Sequence, residues 1–195
     1  MLALIRHGQT DWNLRGLFQG TTDIPLNDTG RLQARDAVAA LAEHDWDLVV
    51  SSPLSRARET ASIIAGELAL PLGPAYDDLI EQGFGEAEGL EVTEVRRRQL
   101  AGIPGMEPHE AVGPRGLRGI ERIRGIHPGQ RVLAVAHGNL IRSTVAHIAG
   151  HTGPRLPGLK NGESSMLRHE QRWTVLTHGG VPFDRVLADL EAIAS

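Results

Sequence analysis

Three short apolar runs, residues 2–5, Asp47–Ser51 and Arg131–Ala136, each give way at once to polar residues and then to a helical pattern. Runs this short read as buried strands, and strands alternating with helices need crossover connections and a sheet covered on both faces. The chain therefore predicts an α/β fold, a three-layer α/β/α sandwich with a mostly parallel sheet. Its 195 residues suit one domain spanning 1–195.

The remaining elements follow from local signals. Asn27-Asp28 offers an N-cap, and Leu32, Val38 and Leu41 mark an amphipathic helix to about Glu43. Pro53 in a first turn opens a second helix to about Leu70, with Ala57, Ala61, Ile64 and Leu68 on one face. Residues 71–90 read as loop with short strand character. Glu91–Leu100 and Leu140–Ala149 read as helices, Ser165–Thr177 as two antiparallel strands around Glu170-Gln171, and Asp184–Ala194 as a closing helix. The glycine and proline content of 102–119 predicts a surface excursion or lid.

Composition removes several functions. The chain has no cysteine, which excludes disulfides, thiolate–zinc sites and cysteine-based phosphate chemistry. A formal net charge of -4 leaves no global footprint for nucleic acid or an anionic membrane, so any anion site must be built locally. No stretch approaches ~18 apolar residues and the run at 2–5 is too short for a signal peptide, so a cytoplasmic protein is expected.

In such sheets ligands bind beyond the carboxyl ends of the strands. Those ends deliver Arg6-His7-Gly8, Ser51-Ser52 with Arg56 one turn on, and His137-Gly138-Asn139. Phosphoryl transfer is catalysed by positioning and by cationic or N–H donors around the equatorial oxygens, which Arg6, Arg56 and His137 can supply. Glycine after each histidine would let backbone approach the anion, and a helix starting near Gly138 would aim its first amides there.

A neutral imidazole is a competent nucleophile, and His7 is the candidate. Neighbouring arginines disfavour a second positive charge on it, and its other ring nitrogen should donate to a backbone carbonyl. A protonated carboxyl is needed for the leaving oxygen, for which Glu81 is chosen over nearby Glu86 and Glu88. His147 and His151 have i,i+4 spacing, but Gly150 intervenes and no carboxylate completes a metal site. Arg58 and the run Arg96-Arg97-Arg98 read as helix surface.

These residues resemble the histidine phosphatase superfamily, also called phosphoglycerate-mutase-like. Leu4–Asn13 (LIRHGQTDWN) is similar to its phosphohistidine motif, Ser51–Ala61 (SSPLSRARETA) and Ala136–Asn139 (AHGN) to two further motifs, and Leu79–Gly89 (LIEQGFGEAEG) to its acid-bearing loop. The resemblance implies His7 as nucleophile, Glu81 as proton donor, and Arg6, Arg56 and His137 as phosphate ligands. Asn13, Gln19, Gly138 and Asn139 would also bind phosphate or substrate. It further implies no metal or other cofactor, a small phosphorylated metabolite as partner, and a homodimer.

The family contains phosphatases, which pass the phosphoryl group to water, and mutases, which return it to a hydroxyl. Similar mutases are typically longer, with an added basic segment that has no clear counterpart here, which favours a phosphatase. Asn139 after His137-Gly138 is shared with many mutases and keeps that alternative. A catalytically inactive phosphate-binding regulatory module is the alternative of another class. Gly105-Met106-Glu107-Pro108 departs from the family's usual turn.

Overall fold

The computed structural model describes residues 1–97, 103–153 and 155–194. Its centre is a seven-stranded sheet: β1 (Leu2–Arg6), β2 (Leu48–Ser51), β3 (Leu72–Ala75), β4 (Val132–Ala136), β5 (Ser164–His169), β6 (Trp173–His178) and β7 (Val181–Pro182). The spatial order is β3-β2-β4-β1-β5-β6-β7. β3, β2, β4 and β1 run parallel, and β5 to β7 extend the sheet antiparallel. The helices are α1 (Asp11–Leu14), α2 (Asp28–Leu41), α3 (Ser55–Glu67), α4 (Val92–Arg97), α5 (His109–Ile126), α6 (Gly138–Ala149) and α7 (Phe183–Ala194).

Alternate residues of the parallel strands feed two cores, as the two-residue period of a strand requires. Leu2, Leu4, Val50, Val132 and Ala134 pack with Ile120 and Ile123 of α5, Leu140 and Ile141 of α6, and Phe183 of α7. Ala3, Ile5, Val49, Leu133 and Val135 pack on the opposite face with Leu41 of α2 and Ala57, Ala61 and Ile64 of α3. Strands buried on both faces are why these runs are continuously apolar.

The expected excursion over 102–119 is corrected in its second half, since His109–Ile126 is an 18-residue helix. Its glycines are packing contacts rather than breakers. A Cβ on Gly113 would stand 2.7 Å from Ser143 O, and one on Gly116 1.8 Å from Thr144 Oγ1, so α5 can lie close on α6 only without side chains there. Residues 103–108 are irregular and are tied to the acid-bearing loop, with Glu107 N donating to Gly83 O (2.8 Å) and Glu86 N to Pro104 O (3.1 Å). Pro53 precedes α3, whose N-cap is Leu54, instead of lying in its first turn. Of the helix expected over Glu91–Leu100, α4 covers Val92–Arg97, and residues 98–100 lie outside the described residues.

β1, β2 and β4 end side by side, with Arg6 opposite Ala136 and Ser51 opposite Val135. The residues just past them stay in register, His7 N donating to Ala136 O (3.0 Å) and Ser52 N to Val135 O (2.9 Å). Three distant segments of sequence are thereby brought to one place at the carboxyl edge of the sheet.

Candidate active site

His7 is buried where β1 ends. Its Nδ1 lies 2.6 Å from Gly8 O, an acceptor only, so Nδ1 carries the proton and Nε2 keeps its lone pair. Arg56 Nε approaches Nε2 at 3.3 Å. Burial, and then the charges of Arg56 and Arg6, hold His7 well below the usual histidine range. The ring is therefore neutral near pH 7. Gly8 has a packing role: a Cβ there would stand 2.2 Å from Gly30 O, so the turn after His7 rests directly on the first turn of α2.

Arg56 is fully buried in the first turns of α3, at 0% exposure. A buried guanidinium must have its donors satisfied. Nη1 donates to Thr22 O (3.0 Å) and Nη2 to Gly20 O (2.7 Å). Gln19 fits with its oxygen accepting from Arg56 Nε (2.8 Å) and its nitrogen donating to Thr10 Oγ1 (2.5 Å). Burial lowers the guanidinium to about 10, which leaves it charged at neutral pH. The 20–22 segment that supplies those carbonyls is itself held by Glu88, which accepts from Thr21 N (2.9 Å), Thr22 N (2.8 Å) and Phe84 N (3.0 Å).

The other expected anion ligand from a strand end, His137, is also fully buried, its ring centroid 5.0 Å from that of His7. Its Nε2 pairs with Ser52 Oγ at 2.8 Å. Nδ1 has no hydrogen-bond partner among the described residues, nor has Arg6 Nε, while Arg6 Nη1 donates to Leu159 O (2.5 Å). Burial and then Arg56 hold His137 well below the usual range, so it too is neutral.

Glu81 is anchored at the start of α6. Oε1 accepts from Leu140 N (2.8 Å) and Gln82 N (2.9 Å), and Oε2 from Asn139 N (3.0 Å). The Asn139 and Leu140 amides in the first turn of α6, expected to face an anion, are thus taken by Glu81, and the helix terminus positions the acid. Arg115 of α5 fixes the backbone before it, donating to Ile80 O (2.6 Å) and Glu81 O (3.3 Å) while paired with Glu107 at 2.7 Å. Glu86 is exposed and Glu88 is turned to the 20–22 segment, so of the three candidate acids Glu81 is the one lining the cavity.

The cavity has a volume of about 620 Å³. Arg6, His7, Asn13, Gln19, Glu81, Gly138 and Asn139 all line it, whereas Arg56 and His137 are buried beside His7 and are not among its lining residues. Asn13 doubles as a cap, its Oδ1 accepting from Thr10 N (3.2 Å) to close α1. The Phe18 and Phe84 rings pack at a 56° tilt with centroids 4.8 Å apart and form an apolar side. Sequence reasoning missed His109, Arg142 and Arg155, which also line the cavity. Arg142 lies three residues after Asn139 on one helix, a spacing that could have flagged it; His109 and Arg155 carry no local signal. Among the described residues no group of three or more His, Cys, Asp or Glu side chains could hold a metal ion.

The sheet thus sets two neutral histidines, two arginines and an anchored glutamate together at its carboxyl edge. The chain belongs to the histidine phosphatase superfamily (branch 1), whose family model it matches over residues 2–180. It is 42% identical over 150 residues to the uncharacterized phosphatase PhoE of Bacillus subtilis (strain 168), covering 76% of this chain and 77% of that protein. It is 34% identical over 178 residues to a 2,3-bisphosphoglycerate-dependent phosphoglycerate mutase of Methylobacterium sp. (strain 4-46), covering 82% and 86%. A solved mycobacterial glucosyl-3-phosphoglycerate phosphatase in complex with VO3 superposes with a TM-score of 0.80 at 28% identity, covering 91% of this chain and 98% of that one.

Proposed function

We propose that the protein is a metal-independent phosphatase that hydrolyses a small phosphomonoester through a phosphohistidine on His7. The observation that carries this reading is the fixed tautomer of His7, with Nδ1 on Gly8 O and an unprotonated Nε2 beside Arg56. Nε2 attacks phosphorus as the ester P–O bond breaks, and Glu81, which takes up a proton once the substrate's negative charge is beside it, passes that proton to the departing oxygen. Water then attacks the phosphorus, its proton passes to the Glu81 carboxylate, and the P–N bond breaks to free Nε2. Arg6, Arg56 and His137 offset charge on the phosphoryl oxygens; Arg6 Nε is a buried donor left for that role, and His137 Nδ1 joins it when Nε2 accepts from Ser52 Oγ.

The phosphatase-named relative and the phosphatase structure support water as the acceptor. The 34% identical mutase supports a second reading, in which a substrate hydroxyl replaces water. Chelator-treated protein is expected to release phosphate from p-nitrophenyl phosphate and from a panel of phosphorylated metabolites, and to carry acid-labile phosphate on His7 after a quench. His7→Ala retaining normal turnover would overturn the nucleophile. Given 3-phosphoglycerate with 2,3-bisphosphoglycerate, formation of 2-phosphoglycerate in place of free phosphate would establish the mutase reading.

A further inference from the structure

Gly8 joins two peptide groups, and each of them is held at both ends. In the first, His7 O accepts from Asn161 Nδ2 (2.9 Å) and Gly8 N donates to Thr60 Oγ1 (3.1 Å). In the second, Gly8 O accepts from His7 Nδ1 and Gln9 N donates to Gln33 Oε1 (2.8 Å). The holding side chains come from three places: Gln33 from α2, Thr60 from α3 and Asn161 from the loop before β5.

Glycine restrains its own φ and ψ least of all residues, so a peptide beside it turns unless its polar groups are pinned. The direction of the Gly8 carbonyl matters because it alone keeps the ring proton on Nδ1. Were it to turn away, the tautomer protonated on Nε2 would compete, and that tautomer has no lone pair to offer phosphorus.

The second peptide does more than aim its carbonyl. His7 Nδ1–H, the Gly8–Gln9 amide and Gln33 Oε1 form one chain of hydrogen bonds, in which each bond polarises the next. Donation from Gln9 N–H to Gln33 leaves more negative charge on Gly8 O, which tightens its hold on Nδ1–H and makes Nε2 the better electron donor. Half-buried Gln33 is not among the residues lining the cavity, so it reaches the chemistry only through this amide. Fully buried Thr60 also donates to Arg56 O (2.7 Å), one turn earlier in α3, so the helix that presents Arg56 to Nε2 also steadies the turn beside Nδ1.

We infer that Gln33 and Thr60 are positioning residues for the nucleophile, fixing the His7 tautomer through the two peptides that flank Gly8. This rests on the reading of His7 as the nucleophile and identifies what makes it one.

The test reads the His7 ring-nitrogen chemical shifts by NMR in the substrate-free protein at pH 7, assigned by their loss in His7→Ala. It adds kcat/KM for p-nitrophenyl phosphate, whose leaving group departs without a proton and so reports on His7 and not on Glu81. Wild type should show the proton on Nδ1. Gln33→Leu removes the acceptor at similar volume; a population protonated on Nε2 should appear, and kcat/KM should fall roughly ten- to hundredfold. Gln33→Glu keeps an oxygen at the same place and should restore the tautomer and most of the rate. Thr60→Val should act like Gln33→Leu, with Thr60→Ser restoring.

An unchanged tautomer in folded Gln33→Leu overturns the inference whatever its activity, and so does a Gln33→Glu protein as impaired as Gln33→Leu. If Gln33→Leu does not fold, Thr60→Val decides by the same readout. Wild-type protein that releases no phosphate from any ester would sink the phosphatase reading instead, since the tautomer is measured without turnover.

Discussion

A histidine that is to attack phosphorus must reach it uncharged, and here burial supplies that condition at a cost in acid. His7 and His137 are both held well below 6.5, so below that pH the unfolded chain binds protons the folded one refuses. Their contribution is fully present above 6.5 and lost as pH falls below it, each by up to about 1.4 kcal/mol per pH unit. Exposed His109 and buried His178 shift in the same direction. Urea titrations at pH 7, 6 and 5 should show stability falling, and His137→Asn should flatten that slope. The fork of Arg56 gives a second prediction: Arg56→Lys cannot span Gly20 O, Thr22 O and His7 Nε2 together. Its kcat/KM should fall by roughly 10²–10³, measured on p-nitrophenyl phosphate. Arg6, His7, Arg56, Glu81 and His137 were legible because each sits at a strand end or in a motif. Arg142 was not, because an arginine on a helix looks the same whether it faces water or a cavity.

Among the elements, the turn after β1 and the start of α2 are fitted backbone to backbone. A Cβ on Gly30 would meet Gln9 O at 2.2 Å, as one on Gly8 would meet Gly30 O. Gly30→Ala should therefore destabilise by about 1–3 kcal/mol and displace His7, read as a lower urea midpoint together with lower kcat. The 20–22 segment depends on Glu88. Burial alone would raise that carboxyl, but hydrogen bonds from Thr22, Thr21 and Phe84 outweigh it and lower it. Glu88→Ala should loosen the carbonyls on Arg56 and cut kcat about tenfold at unchanged secondary structure, measured by kinetics and circular dichroism. Strands β1, β2, β4, β5 and β6 and most helices could be read from periodicity, whereas β7 was not anticipated. α5 could not, since Gly113, Gly116 and Pro114 in one segment read as a loop until the close crossing of α6 is known. Local propensity gave way there to tertiary packing.

At the scale of the whole molecule, the cavity is assembled from segments near residues 6–19, 81–84, 106–109, 138–142 and 155–159. The three strand ends could be expected to converge from α/β topology alone. The wall that includes His109, Arg142 and Arg155 could not, because it depends on where 103–108 and the loop after α6 lie, and loops obey no period. The antiparallel extension beyond β1 was expected as a strand pair, but its attachment to β1 was not.

That attachment leaves β1 in the interior of the sheet, with Leu2 opposite Val132 on one side and Leu167 on the other. During synthesis the strand that ends just before His7 precedes its first partner by about 130 residues, and it is one of the most apolar segments in the chain. A ribosome-bound intermediate ending before β4 would expose that strand to aggregation and to chaperones. Nascent chains stalled near residue 125 should be protease-sensitive around His7, and chains stalled well past 167 should be resistant.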